Sequence, residues 1–483
     1  MVHKDDFEQI NDYVWELPQA YDGRMRVPAR IYGNEEVFEA AFRDNSAEQL
    51  MNVAMLPGIV KYAMAMPDVH QGYGFPIGGV AAFRWDEGII SPGGVGYDIN
   101  CGVRMLASQI DYPALEPYLK DLIATIDRNC PSGVGGKGAV ALSDKELDDV
   151  LERGAEWALS KGYAQRDDLE RTESRGRIAG ASAGAVGSRA KERGRPQMGS
   201  LGAGNHFLEI DVVDEIYDAE AAAVMGLSRD RVVVQIHCGS RGLGHEVCGQ
   251  YIQTLQDAPR RYGIDIPDRE LVAAPVDSRE GRDYLAAMAA AANYAFANRQ
   301  ILAHFVRRSF EQTLAGKVKD WQLHQVYDVT HNIAKVEEHQ VGSQRMRLIV
   351  HRKGATRAFP PRHPELPAVY REIGQPVLVP GSMGTASYVL VGTASAMDDT
   401  FGSTCHGAGR TMSRNAALKQ ARGEQVRADL SQQGIMVRTG SVKGLAEEAP
   451  YAYKDVSIVV ESVTGAGLAR KVARVHPVAV IKG

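Results

Sequence analysis

The chain carries little net charge for its size: 55 Lys and Arg against 60 Asp and Glu over 483 residues leave −5. No global positive field therefore draws in a polyanion, and a nucleic-acid partner would need a local basic patch or metal ions. Cysteine is scarce too. Five residues (Cys101, Cys130, Cys238, Cys248 and Cys405) show no paired spacing, which argues against a disulfide scaffold and for reduced thiols in a cytoplasmic protein. No run of 18 apolar residues occurs, and the start, Met1-Val-His-Lys-Asp-Asp6, is acidic where a signal peptide is basic and then apolar. Neither a membrane span nor a secretory leader is expected. Fixed-period repeats and low-complexity tracts are missing. So are a Walker A loop and a Lys-x-Asp-Gly nucleophile motif, and any nucleotide chemistry must rest on another loop and another nucleophile.

What is abundant is glycine. Fifty glycines are about a tenth of the chain, against a usual ~7 %. They cluster in Gln71–Val80 and Ser91–Arg104 among short apolar runs, the texture of short strands joined by tight turns. Apolar residues at 44 % supply an ordinary core. Residues 113–195 read as mostly helical, and the alanine-rich stretch 279–315 as one or two long helices. Strands are expected at Arg231–His237, Met346–His351, Pro376–Val379, Tyr388–Val391, Val456–Val460 and Val478–Ile481. Strands and glycine loops come from both ends of the chain. The fold class is therefore α+β: one interleaved catalytic domain over 1–483, built on mixed or antiparallel sheets with flanking helices and a helical insertion at roughly 245–325.

Metal ligands suggest themselves next. Asp98-x-x-Cys101 puts a carboxylate and a thiol in one glycine-flanked turn, where both can reach a single ion. His206 follows Gly202-Ala-Gly-Asn205, His237 closes a valine-rich strand, and His331 lies in Thr330-His-Asn332, where a helix start is expected. Taken singly, each histidine is more often a satisfied core or surface residue. Together the five donors suit two divalent ions bridged by the thiolate, an arrangement able to polarise a phosphate.

His406 differs in lying just before glycines and a helical pattern, in Ser403-Thr-Cys-His-Gly-Ala-Gly-Arg410. A helical pattern from Arg410 to about Gln433 would set its backbone N–H groups toward a phosphate, with Arg410 and Arg414 sharing a face. A histidine there can attack phosphorus; a capping residue in a tight turn is the plainer alternative. The loop Pro380–Ser387 could line a phosphate or ribose. Seven Arg and Lys between 345 and 371 face one acid, Glu365, a candidate polyanion track.

These segments resemble the RtcB family of RNA ligases. The likeness is carried by Asp68-Val-His-Gln-Gly-Tyr-Gly-Phe-Pro-Ile-Gly-Gly79, Gly96-Tyr-Asp-Ile-Asn-Cys-Gly-Val-Arg104, Gly204-Asn-His-Phe-Leu-Glu209, His237-Cys-Gly-Ser-Arg-Gly-Leu-Gly244, His351-Arg-Lys-Gly-Ala-Thr-Arg357, Pro380-Gly-Ser-Met383 and His406-Gly-Ala-Gly-Arg410, and it runs from about residue 20 to Lys482. It implies joining of an RNA 3′-phosphate or 2′,3′-cyclic phosphate to a 5′-hydroxyl, with GTP and two Mn²⁺ per site, through a guanylated His406. By the same resemblance, Asp98, Cys101 and His206 hold one ion, and Cys101, His237 and His331 the other.

The guanylate pocket it implies comprises Asn205, His206, Phe207, Leu208, Glu209, His331, Asn332, Pro380, Gly381, Ser382, Met383, Ser387, His406, Gly407, Ala408, Gly409, Tyr453 and Lys482. Within it Tyr453 would stack on guanine, and Glu209 and Lys482 would read the base edge. Arg410 and Arg414 fall where RNA-end phosphates belong. The implied substrates are tRNA halves or broken RNA, in tRNA splicing or RNA repair, handled by a monomer with an archease-type activator. The same donors would equally serve a dinuclear metal-dependent phosphoesterase, which needs no nucleotide pocket. One local conflict stands: strict strand alternation across Asn205–Glu209 puts His206 on the face opposite Asn205 and Glu209.

Overall fold

A computed structural model describes residues 2–133 and 135–483. The fold is α+β, built on two large sheets. Neighbouring strands of the seven-stranded sheet are Glu8–Asn11, Val14–Leu17, Ala29–Tyr32, Ile59–His70, Ile77–Arg84, Gln344–Lys353 and Asn332–Val341. The eight-stranded sheet runs His324–Thr330, Gly102–Asp111, Arg231–Cys238, Phe207–Ile216, Ala469–Lys482, Ser387–Gly392 and Pro376–Val379, with Met436–Thr439 pairing in parallel to Ala469–Lys482. Most other pairings are antiparallel, and each sheet joins strands hundreds of residues apart in the chain.

The stretch 279–315 forms one 36-residue helix, Arg279–Leu314, whose Ser278 cap accepts from the Gly281 N–H, a length of about 54 Å. Its alanines pack into one core and its later Leu302, Val306 and Phe310 into a second, so small side chains let neighbouring elements approach closely. Polar residues are set into this apolar rod. Arg299 pairs with Asp328 at 2.8 Å, both fully buried, and Arg104 meets the same carboxylate at 2.7 Å. Around it, the 245–325 region holds helices Arg241–Thr254 and Ala258–Tyr262, but also the short strand Ala274–Pro275, which pairs with Ile89–Ile90.

Four local expectations are overturned. Val456–Gly465 is a helix, not a strand: Asp455 caps it through the Ser457 N–H, and buried Val456, Val459, Val460 and Val463 follow the helical period. β-branched composition had outweighed that spacing. The helix expected from Arg410 begins at Arg414, where Ser413 accepts from the Ala416 N–H, and it ends at Gln420 before a second helix, Gly423–Gln432. Arg410 and Arg414 therefore share no helix face, and His406 sits at no helix N-terminus. His331 lies between two strands rather than at a helix start. Finally, the 345–371 run is only partly a surface track: Arg345, Arg347, Arg362 and Arg371 are exposed, but Arg352, Lys353 and Arg357 are buried, with Arg352 on Glu337 and Arg357 on Glu365, each at 2.7 Å.

Candidate active site

Four adjacent strands of the eight-stranded sheet end at one place. His324–Thr330, Gly102–Asp111, Arg231–Cys238 and Phe207–Ile216 are hydrogen-bonded neighbours, with Thr330 opposite Gly102, Val103 opposite His237 and His237 opposite Phe207. Residues at those ends (Cys101, His206, His237 and His331) are thereby brought together, although up to 230 positions apart in sequence. The turn before Cys101 is held in an unusual shape. Asn100 takes a positive φ of 55°, donates from its backbone to Asn332 O at 2.7 Å and from its amide to Ala292 O at 2.6 Å. Arg299 grips the same turn through Asn100 O at 2.7 Å and Cys238 O at 2.9 Å.

Two donor groups result, Asp98–Cys101–His206 and Cys101–His237–His331, with all ligand atoms of each within 4.8 Å of one another. Cys101 Sγ lies 3.3 Å from both His206 Nε2 and His237 Nε2, and His237 Nε2 is 3.3 Å from His331 Nε2. His206 Nδ1 faces Leu201 O at 3.0 Å; that contact holds a proton on Nδ1 and turns Nε2 toward Asp98 and Cys101. In each group imidazole nitrogen and a sulfur come within 4.8 Å of one another, a geometry that suits cations. Gly239 is needed here, because a Cβ would come within 2.3 Å of the Asp98 carboxylate.

Electrostatics agree. Burial, reinforced by the charge of His206, pushes His237 well below the usual histidine range, and burial with His406 and His237 does the same to His331, so both rings are neutral and able to ligate. Burial opposes ionisation of Asp98, but the charge of His206 and its 2.7 Å contact outweigh it and hold the carboxyl low. Burial and then Asp98 push the Cys101 thiol up to about 12; a bound cation reverses that and takes the thiolate.

Across the cleft, His406 follows the strand Ser403–Cys405, and its ring centroid is 4.7 Å from that of His331. Its Nδ1 is 2.5 Å from Asp68 Oδ2, and the same oxygen accepts from the His406 N–H at 2.8 Å and the Gly407 N–H at 3.3 Å. Asp68 is fully buried near the end of Ile59–His70. It keeps the proton on Nδ1, so the lone pair sits on Nε2. Gly409, with φ +74°, lets the loop pass over Asp68, whose carbonyl oxygen would lie 2.3 Å from an added Cβ.

The cleft between these walls measures about 1110 Å³. Most of the residues singled out from the sequence line it: Asp98, Asn205, His206, Phe207, His237, His331, Asn332, Pro380, Gly381, Ser382, Met383, His406, Gly407, Ala408, Gly409, Arg410, Arg414, Tyr453 and Lys482. Cys101 stands just behind the wall, 1 % exposed. Three of the expected pocket residues do not line it. Leu208 packs into a hydrophobic core. Glu209 is buried beside Asp211 and near Lys482. Ser387 sits beneath the loop, its Oγ accepting from the Gly381 N–H at 3.0 Å. The alternation conflict dissolves because the strand starts at Phe207, leaving Asn205 and His206 in the preceding turn.

Among the residues not singled out, Asp68 behind the cleft and Glu448 on its lining bear on the chemistry. Asp68 heads a recognisable motif, and a carboxylate inside the apolar run Tyr62–Val69 signals a buried partner. Glu448 binds Arg410 at 3.2 Å and Arg414 at 2.9 Å and accepts from the Tyr453 hydroxyl. Arg410 also lies over the Tyr453 ring, 5.0 Å from its centroid.

Fold and cleft together define an α+β protein with a two-metal type of donor set facing a carboxylate-held histidine. The family model described as tRNA-splicing ligase RtcB matches residues 49–483, and the chain belongs to the RtcB family. It is 54 % identical to the tRNA-splicing ligase RtcB of Thermococcus kodakarensis over 476 residues, covering 99 % of this chain and 98 % of that protein. The corresponding proteins of Archaeoglobus fulgidus (52 %, covering 99 % and 98 %) and Pyrobaculum aerophilum (51 %, covering 98 % and 99 %) are similar over the same extent. Among the described residues, no helix is long and apolar enough to cross a membrane.

Proposed function

We propose that this chain is an RNA ligase of tRNA splicing that joins a 3′-phosphate or 2′,3′-cyclic phosphate end to a 5′-hydroxyl, using GTP and two Mn²⁺ and passing through a guanylated His406. The observation that carries the reading is the position of His406: its Nδ1 on Asp68, its ring against His331, and its free nitrogen in a cleft of nucleotide size.

Asp98, Cys101 and His206 would hold one ion, and Cys101, His237 and His331 the other. Bound there, the cations supply Lewis-acid charge that offsets phosphate oxygens. The chain's own residues do the rest. Nε2 of His406 attacks the α-phosphorus of GTP; an N–P bond forms, the P–O bond to pyrophosphate breaks, and pyrophosphate leaves. Asp68 stabilises the charge that grows on the ring, as a buried carboxylate does for any imidazole nucleophile or base. An oxygen of the RNA 3′-phosphate then attacks the guanylate phosphorus and releases His406. The 5′-hydroxyl oxygen attacks the 3′-phosphorus, losing its proton, and GMP departs as the phosphodiester forms. Arg410 and Arg414 would orient the RNA-end phosphates, and Tyr453 the guanine. A cyclic phosphate is first opened by water. The same reading covers RNA repair, a cytoplasmic monomer and an archease-type activator.

The test uses α-labelled GTP with Mn²⁺. Label should become acid-labile on the protein and be absent from His406→Ala, and GTP but not ATP should support sealing of a cyclic-phosphate RNA to a 5′-hydroxyl RNA. Phosphoester hydrolysis without protein labelling would instead identify a dinuclear phosphoesterase.

A further inference from the structure

A second cavity, about 1070 Å³, opens against the edge strand Asn332–Val341 of the seven-stranded sheet. It shares no lining residue with the reaction cleft. Seven cationic and three acidic side chains line it, an excess of four in a chain whose net charge is −5. Its deeper charges are already matched, Lys335 by Glu173 and Arg357 by Glu365. The rim is different.

Five exposed arginines meet there from four separate segments: Arg175 and Arg177 from one irregular stretch, Arg282 from the first turns of the long helix, Arg347 from Gln344–Lys353, and Arg371 from the loop after Tyr370. Arg177 has Glu156 at 3.0 Å, and Arg175 has Glu170 only at 3.9 Å. For Arg282, Arg347 and Arg371 the described residues provide no carboxylate partner. Arg347 is nonetheless held in place, its guanidinium 4.1 Å from the centre of the Trp85 ring. Stacking fixes the plane of the guanidinium and leaves its N–H edge free for an anion.

We infer that this rim binds the sugar–phosphate backbone of the RNA substrate away from its reacting end, an inference that rests on the RNA reading of the cleft. Three solvated arginines from three segments converge on one concavity with no carboxylate partner among the described residues, and repeated phosphates supply that complement. The placement fits a strand already engaged in the cleft. Asn332 lines the cleft and Val336 lines the cavity, four residues and about 13 Å apart on one strand. The two exposed arginines of the basic 345–371 run that reach this rim, Arg347 and Arg371, thus serve a site built jointly with distant segments.

The experiment compares the wild-type chain with R282Q/R347Q/R371Q and with a charge-matched control, R24Q/R229Q/R260Q, whose residues line neither cavity. Binding of a labelled single-stranded RNA ending in a 2′,3′-cyclic phosphate is followed by anisotropy across a salt series. Three lost phosphate contacts should make the slope of log K against log salt shallower by about 2 and weaken binding at low salt by roughly tenfold or more. Labelling by α-labelled GTP should stay at the wild-type level, which shows the variant folded. An unchanged slope, or an equal change in the control, overturns the inference and leaves the cleft reading intact. Failure of the wild-type chain itself to bind this RNA would overturn the cleft reading.

Discussion

The two walls of the cleft are built on opposite plans. One wall grows from the ends of four neighbouring strands, and its donors (Cys101, His206, His237 and His331) point at one another with, among the described residues, Asp98 as their acidic counter-group. The facing wall is loop and short helix, and its charges come already matched: His406 with Asp68, Arg410 and Arg414 with Glu448. A donor set left uncompensated on a rigid sheet asks for cations from outside. A set that carries its own counter-charges can be switched among phosphate-bearing substrates, since each incoming phosphate competes with a carboxylate already present.

That contrast can be broken at its strongest point first. Cys101→Ala removes the donor common to both groups, and we expect loss of both metals by elemental analysis together with guanylation below detection. Chelation of the wild-type chain should do the same reversibly. His406→Ala should also abolish guanylation while leaving metal content unchanged, because that residue belongs to the opposite wall. Two metals lost in this variant would show the walls to be one unit. A milder cut is Asp68→Asn, which keeps the shape but no longer fixes the proton on Nδ1. The guanylation rate should fall by about 10²–10⁴, the usual cost of a wrong imidazole tautomer, with GTP affinity little changed. Arg414→Ala should leave guanylation near wild type and slow sealing by roughly 10–100-fold, about the worth of one charge-assisted contact.

The smallest effect lies beneath the sheet wall. Burial raises the Asp211 carboxyl above its ordinary range; Oδ2 accepts from Gln235 Nε2 at 2.7 Å, while Oδ1 has no hydrogen-bond partner among the described residues. A raised folded value means the folded chain binds more protons than the unfolded one between the two values, so stability falls as pH rises through that window. Asp211→Asn should flatten this part of the stability–pH curve in denaturant titrations, and should make the protein more stable above it by about 1–3 kcal/mol. An unchanged curve would show that Asp211 does not titrate with folding.

The sheet wall was the readable one. Asp98, Cys101, His206 and His237 each sit beside glycines or at a strand end, so local pattern alone singled them out, and His331 was found despite a misplaced helix start. The loop wall was readable only in part. His406 stood out beside its glycines, but its partner Asp68 is 338 positions away, and no local signal pairs them. Glu448 escaped for the same reason. The valines at 456–463 misled because β-branched residues favour strands in isolation, whereas packing rewarded their helical spacing. Arg352 and Arg357 looked like surface charge until Glu337 and Glu173 came from other segments to meet them and Glu365 folded back from eight positions on.

The long helix has a consequence of its own. Asn298 and Arg299 hold the loops bearing the candidate metal donors by reaching Gly199, Asn100 and Cys238 from a rod that is capped at Ser278 and sheathed in alanine. A single residue inserted between cap and Arg299 would turn everything beyond it by about 100°, swinging those fingers away from a cleft they never touch. Tolerance to insertions should therefore be lowest in a segment that contributes no atom to catalysis, and the rod's length acts as a measured spacer rather than as filler.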